Sequence, residues 1–97
     1  MNIKKLMEQA QKMQREMENK ISKIEKEAFT YESNGVKVTI LGSLEIQSVE
    51  INDPLLADKE MLQDILIVVM NGALKKVEEK KAVVYRAAQS AAKGGGF

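Results

Sequence analysis

The chain has 97 residues, with 15 Lys or Arg, 14 Asp or Glu, a formal net charge of +1, and neither Cys nor His. Its length predicts one domain, and the absence of Cys excludes disulfides, thiolate metal sites and thiol nucleophiles. Because only 4% of the residues are aromatic, the core must come from aliphatic side chains and Met, which favours helix packing over a large β-sandwich.

The charges are unevenly distributed along the chain. Residues 1–27 carry seven basic and five acidic side chains, residues 28–58 carry one and five, and residues 59–97 carry seven and four. The middle segment should therefore repel polyanions, and the two flanking segments should attract them. The longest apolar run, 65–70, is far shorter than the roughly 20 residues of a membrane-spanning helix, so we expect a cytoplasmic protein with no membrane partner.

Residues 2–26 contain neither Gly nor Pro and are rich in helix formers, which predicts one long helix. Its apolar residues follow a coiled-coil-like spacing as far as Met17. Basic residues opposite an apolar stripe are usually only a solvated face with i,i+4 ion pairs. Here six of the seven basic residues share one face, and this segregation favours polyanion binding; they are Lys4, Lys5, Lys12, Arg15, Lys23 and Lys26.

Three strands are predicted next, at 28–33, 36–41 and 44–51, from alternating apolar residues and β-branched side chains. Asn34-Gly35 suits a type I′ turn and Gly42-Ser43 a type II′ turn, so the strands should be antiparallel. Phe29 and Tyr31 fall on one face, where core or dimer contacts are expected more than base stacking. The apolar positions of the third strand change face across Gln47-Ser48, which predicts a bulge near Ser48.

Asp53-Pro54 suits a short helical turn, and Asp58 is a candidate cap for a last helix from about Lys59 to Ala92. Asn71-Gly72 interrupts this segment and marks a close helix contact, a bend or a terminating turn; apolar spacing in phase on both sides favours a continuous helix. The domain is expected to span 1–93, with a flexible tail at 94–97. A second, thinner basic stripe lies opposite the apolar row: Lys75, Arg86 and Lys93.

Two long helices cannot both be covered by a three-stranded sheet from the same small chain. The run 65–70 surrounds the last helix with apolar side chains, and exposing them would cost several kcal/mol at about 25 cal/mol per Å². The sequence therefore predicts an α+β fold, with a long N-terminal helix, a three-stranded antiparallel sheet and a long C-terminal helix. We expect it to form a symmetric homodimer in which the sheets and helices of the two copies bury each other's apolar faces.

Four stretches carry a family resemblance: "LMEQAQKMQREM" in the first helix, "GVKVTILG", "VEINDPLLADKEMLQD" and "NGALKKVEE". On these the chain resembles the YbaB/EbfC family of nucleoid-associated, DNA-binding proteins of bacteria, over nearly its whole length. It departs from the family pattern in having Gly72 where Asp is expected after Asn71, and in a short tail. The resemblance implies an intertwined homodimer with projecting helices, which extend from a central β region like tweezers and grip duplex DNA with little or modest sequence preference. It also implies a role in organising the nucleoid and influencing gene expression.

For the mechanism we expect the six basic residues of the first helix to neutralise DNA phosphates, with Lys75, Arg86 and Lys93 as further candidates. The alternative is a dimeric, coiled-coil-like protein-interaction scaffold that does not bind DNA. An enzyme is not expected. Without His or Cys, catalysis would need carboxylates or Lys in a cleft, and Asp53, Asp58 and Glu60 look like helix-start residues. No cofactor, metal or small-molecule substrate is predicted.

Overall fold

The structure is a computed structural model that describes the backbone of residues 2–94 and the side chains of residues 2–90. Its elements are helix α1 (Ile3–Lys26), strands β1 (Ala28–Ser33), β2 (Val36–Leu41) and β3 (Ile46–Ile51), a 3-10 helix (Asp53–Ala57) and helix α2 (Lys59–Gly94). The predicted helix–sheet–helix order is confirmed. Gly94, expected to begin the tail, is the last residue of α2, and residues 95–97 lie outside the described part of the chain.

The two helices make the molecule a rod. At 1.5 Å per residue, the 24 residues of α1 span about 36 Å and the 36 residues of α2 about 54 Å. The principal extents are 70 × 22 × 13 Å, and the radius of gyration is 19.5 Å. A compact domain of this length has a radius of gyration of about 12.5 Å, so much of each helix extends beyond the sheet.

The core lies between the sheet and one stripe of α2. The sheet order is β1-β2-β3, and both strand pairs are antiparallel. Alternate residues of the central strand, Val36, Val38 and Ile40, point to one face and are buried there. They pack against a row of α2 residues at spacings of four, the period that keeps side chains on one helix face; the row is Ile65, Val69, Ala73 and Val77.

The two hairpins close differently. Asn34 and Gly35 both have positive φ, at 50° and 87°, which confirms the predicted type I′ turn. The predicted type II′ turn at Gly42-Ser43 is wrong, because the positive φ falls on Leu44, at 74°. Leu44 N donates to Leu41 O at 2.8 Å and Leu41 N donates to Glu45 O at 2.8 Å. These bonds define a three-residue loop whose last residue is left-handed, so β3 begins at Ile46 instead of Leu44.

Gly42 is required by a close contact with α1. A Cβ atom at this position would lie 1.9 Å from the carbonyl oxygen of Ile24. The loop is also bonded to the segment that ends α1, since Gly42 N donates to Glu27 O at 2.9 Å and Ser43 N donates to Glu25 O at 3.1 Å. The sequence signal for a turn was correct, but its glycine serves helix packing.

The predicted bulge in β3 is confirmed. Thr39 pairs with Ser48 and Ile40 pairs with Ile46, so Gln47 is the extra residue. Because strand side chains alternate between faces, this extra residue brings Ile46 onto the same face as Val49. The core-facing surface of the sheet therefore continues onto β3.

Helix α2 is continuous through Asn71-Gly72, as predicted. Gly72 marks a close contact, because a Cβ atom there would lie 2.6 Å from two ring carbons of Tyr31. Tyr31 packs against the core with Phe29, which confirms the expectation that these aromatic residues serve packing. The predicted cap of α2 is also confirmed, since Asp58 Oδ1 accepts a hydrogen bond from Met61 N at 3.1 Å.

We predict that Gly72→Ala lowers the free energy of unfolding by about 1–2 kcal/mol. Overpacking against the Tyr31 ring costs about 1–3 kcal/mol, which exceeds the gain of up to about 1 kcal/mol in helix propensity. In a Tyr31→Val background the clash is absent, so the same change should raise stability by up to about 1 kcal/mol. Urea unfolding of the wild type, the two single variants and the double variant measures these changes. An equal loss of stability from Gly72→Ala in both backgrounds would show that the Tyr31 ring is not the cause.

Candidate nucleic-acid interface

Beyond the sheet, α1 lies alongside the C-terminal half of α2. The end of α1 is fixed at the sheet, where Ile24 is buried, and Met13 and Met17 meet Val84 and Ala88 further along the rod. The helices α1 and α2 are therefore antiparallel. The start of α1 is capped by Asn2, whose Oδ1 accepts a hydrogen bond from Lys5 N at 3.2 Å.

All six basic residues predicted on α1 are exposed: Lys4, Lys5, Lys12, Arg15, Lys23 and Lys26. Because the face of α1 that carries Met13, Met17 and Ile24 packs inward, helical spacing places these six on the outward side. Acidic side chains border this surface, since Arg15 lines a shallow surface groove with Glu18, and Glu8 lies one turn from both Lys4 and Lys12. The long, mainly basic surface that the sequence predicted on α1 is therefore present. Its contact with DNA stays a prediction.

The thinner stripe on α2 is of mixed sign. Lys75 and Arg86 are exposed and share one groove with Glu78 and Glu79. Arg86 Nε also donates to Ala82 O at 3.3 Å, a bond to its own helix. Two carboxylates between two cations weaken the attraction of this face for a polyanion. The side chain of Lys93, the third predicted member, lies outside the described side chains.

Three other lysines near the helix contact were not predicted as site residues. Lys20, which interrupts the apolar seam of α1, lines a groove with Glu16 and Ala87. Lys76 Nζ donates to Thr30 O at 2.6 Å, beside the sheet. Lys80 follows Lys76 by four residues and is exposed. Helical spacing alone places Lys76 and Lys80 on one face of α2. Only the structure shows that this face lies next to α1.

The outer face of the sheet is polar and carries few positive charges. Thr30 Oγ1 and Thr39 Oγ1 lie 3.2 Å apart across the strands, and Lys37 Nζ lies 3.8 Å from Glu50 Oε2. The ion pair is exposed and contributes little to stability. Lys37 is the one basic residue between 28 and 58, and it is held in this ion pair. This face therefore attracts a polyanion less than the helices do.

Within residues 2–94, no group of three His, Cys, Asp or Glu side chains is placed to hold a metal ion. Over the same described stretch, neither helix combines the length and apolar character needed to cross a bilayer.

A model of the YbaB/EbfC DNA-binding family matches residues 1–92. The chain belongs to this family. It is a family of DNA-binding proteins and not of enzymes. The resemblance inferred from the four sequence stretches is thereby confirmed, and the exposed basic helix occurs in a protein of a DNA-binding family.

Relatives of the chain are named nucleoid-associated proteins. That of Mycoplasmopsis pulmonis is 37% identical over 81 residues, covering 81% of each chain. That of Francisella tularensis is 38% identical over 96 residues, covering 93% of this chain and 86% of the relative. Among solved structures, the uncharacterized protein HP0035 from Helicobacter pylori superposes with a TM-score of 0.76 at 28% identity, covering 90% of this chain and 96% of that one.

Proposed function

We propose that this protein is a nucleoid-associated protein that binds duplex DNA as a homodimer, mainly through phosphate contacts and with low sequence specificity. Family membership supports DNA as the ligand, and the names of the relatives support the nucleoid, within the cytoplasm, as its location. The observation that carries the proposal is the exposed basic surface of α1, formed by Lys4, Lys5, Lys12, Arg15, Lys23 and Lys26.

The length of this surface suits a duplex. Lys4 and Lys26 are separated by about 33 Å along the helix at 1.5 Å per residue. DNA carries a phosphate charge about every 1.7 Å along its axis, so a row of this length faces several phosphates at once. Each lysine that neutralises a phosphate releases condensed counterions, and this release supplies affinity without reading sequence. Arg is scarce in the chain, so bidentate readout of guanine has little basis.

The homodimer is proposed from apolar side chains that the single chain leaves exposed. On β3, Ile46 and Val49 lie on the core-facing side of the sheet, yet are 55% and 39% exposed. Leu44 and Leu74 line one groove beside them and are 52% and 43% exposed. A second copy related by a two-fold axis would bury this apolar surface on both chains at once. The basic helices would then occur twice, and by compacting DNA such a dimer would organise the nucleoid and influence gene expression.

Binding to a random-sequence duplex of about 30 base pairs, followed by fluorescence anisotropy, should weaken steeply as salt rises. We predict that the double variant Lys12→Glu and Arg15→Glu weakens binding at least about 100-fold at low salt, because each protomer loses two phosphate contacts and gains two repulsive charges. It should also flatten the salt dependence.

The matched control is the double variant Lys37→Glu and Lys59→Glu. It makes the same change in net charge at the sheet end of the molecule, so it should retain nearly all binding. Binding that is independent of salt, or equal in the two double variants, would contradict the phosphate mechanism.

For the dimer, sedimentation of the wild type should give twice the chain mass of 10.8 kDa. We predict that Ile46→Lys combined with Leu74→Lys gives a folded monomer with weaker DNA binding, because two charges then lie in the apolar contact. Val83→Lys, at an exposed position away from the β3 surface, is the control and should remain dimeric. A compact wild-type monomer that binds DNA normally would refute the dimer.

A second candidate function, a dimeric coiled-coil-like protein scaffold, is favoured by one observation. Ile3, Leu6 and Met7 are exposed near the start of α1 and offer apolar surface to a protein partner. If this is the function, the wild type binds no duplex at low salt. It also retains a protein partner from cell extract that a Leu6→Ser, Met7→Ser variant loses.

A further inference from the structure

We propose that duplex DNA binds on one side of the helix pair, the side next to β1, and that Lys20, Lys76 and Lys80 contact its phosphates there. This inference rests on the DNA-binding function proposed above and adds residues that the sequence did not single out. It follows from how the contact between α1 and α2 divides the surface of the rod into two flanks.

Each flank has its own groove along the helix contact. On one side, Glu16 and Lys20 of α1 face Ala87 of α2. On the other side, Gln14 of α1 faces Ala88 of α2. Met13 and Met17 border both grooves, as expected for residues in the contact itself. We call the first side the β1 flank and the second the β3 flank, for the strands they adjoin.

The lysines of α2 show which strand adjoins the first groove. Lys76 binds the carbonyl of Thr30 in β1. Lys80 follows it by four residues and precedes Ala87 by seven, about two helical turns, so all three share one side of α2. The groove that contains Lys20 and Ala87 therefore opens on the same side as β1.

The β1 flank gathers positive charge from both helices. Lys20 lines its groove, and Lys12 and Lys23 lie within one turn of the groove residues Glu16 and Lys20. Lys76 and Lys80 add two charges from α2. Among the side chains that the structure describes, Glu16 is the one carboxylate lining this groove. Several lysines on two neighbouring helices form a groove that attracts a phosphate backbone more strongly than one helix does.

The β3 flank has a different character. Its groove beside the sheet is lined by Leu44, Leu74, Val77, Glu78 and Lys81, which combine apolar surface with one charge of each sign. Further out, Gln14 and Glu18 share a shallow surface that reaches as far as Arg15 on the outward face of α1. This flank also adjoins the exposed apolar residues of β3. It suits a second copy of the chain, and DNA on the β1 flank would not compete with that copy.

The bond to Thr30 holds Lys76 in place for this role. The Nζ atom lies 2.6 Å from the carbonyl oxygen, which uses one of the three ammonium protons. Two protons remain for phosphate oxygens. A charge held at the edge of β1 loses less side-chain entropy on binding than a free lysine does, and it marks the sheet end of the basic groove.

Neighbouring residues on α2 provide the test. Lys80 and Lys81 are about 100° apart on the helix and lie on opposite flanks. Lys80→Glu and Lys81→Glu change the net charge equally. In the salt-series assay, Lys80→Glu should weaken duplex binding about tenfold or more and lower the salt slope by about one unit per protomer. Because Lys81 lines the groove beside the proposed second copy, Lys81→Glu is compared at a concentration where sedimentation shows a dimer, and it should then stay within about twofold of the wild type. Equal losses, or a larger loss for Lys81→Glu, would overturn the assignment.

A second pair on α1 tests the same assignment without altering the half-buried Lys81. Lys20→Gln removes a positive charge from the β1 flank and Gln14→Glu adds a negative charge to the β3 flank, so both lower the net charge by one. Lys20→Gln should weaken binding severalfold, while Gln14→Glu should have little effect. Melting temperatures and sedimentation masses confirm that each variant is folded and assembled. A wild type that binds no DNA would refute the proposed function itself, whereas normal wild-type binding with the reverse order of variants would refute only the flank.

Discussion

The close approach of α1 to the β2–β3 loop is the constraint on which the shape of the molecule depends. Gly42 admits the backbone of Ile24 at a distance that any side chain would prevent, and two backbone hydrogen bonds join the loop to the end of α1. From this fixed end, α1 runs back along α2 beyond the sheet, where Met13 and Met17 lie beside Ala88. A chain of this length in a compact fold would have few long surfaces; here the fixed end produces a rod of 70 Å.

The rod separates the two kinds of surface that the proposed DNA-binding dimer needs. The apolar side chains exposed on β3 and the adjoining part of α2 lie beside the sheet, whereas the lysines lie mainly along the helices. At physiological ionic strength, charges more than about 8 Å apart are largely screened. The acidic sheet segment would therefore have little effect on phosphates bound at the far part of α1, as proposed, even though the net charge of the chain is only +1.

The fold could be predicted largely because its signals are local. Alternation in β2, the Asn34-Gly35 turn and the Asp58 cap each depend on residues that are neighbours in sequence, and all three are confirmed. The turn after β2 was wrong because Gly42 was explained by backbone conformation, whereas its reason is the distant Ile24. Likewise, the close contact between Gly72 and Tyr31 joins residues that are far apart in the chain. A glycine can signal a close contact, as at Gly72, but the distant partner in such a contact leaves no local pattern from which to predict it.

The candidate site shows the same division. The periodicity of α1 identifies which basic residues share a face, but it cannot show what lies beside that face in three dimensions. Lys20 looked like an interruption in the apolar seam until the structure placed it beside Ala87 of the other helix. The stripe of Lys75 and Arg86 looked basic until Glu78 and Glu79 were found between them. The second correction lies within α2 itself, where Glu78 and Glu79 follow Lys75 by three and four residues. The first comes from a property of helix pairs. Their contact divides the surface into two flanks, and a residue's flank depends on the partner helix as well as on its own spacing. Adjacent lysines such as Lys80 and Lys81 can therefore lie on different flanks, which we propose face a phosphate backbone and a second copy of the chain.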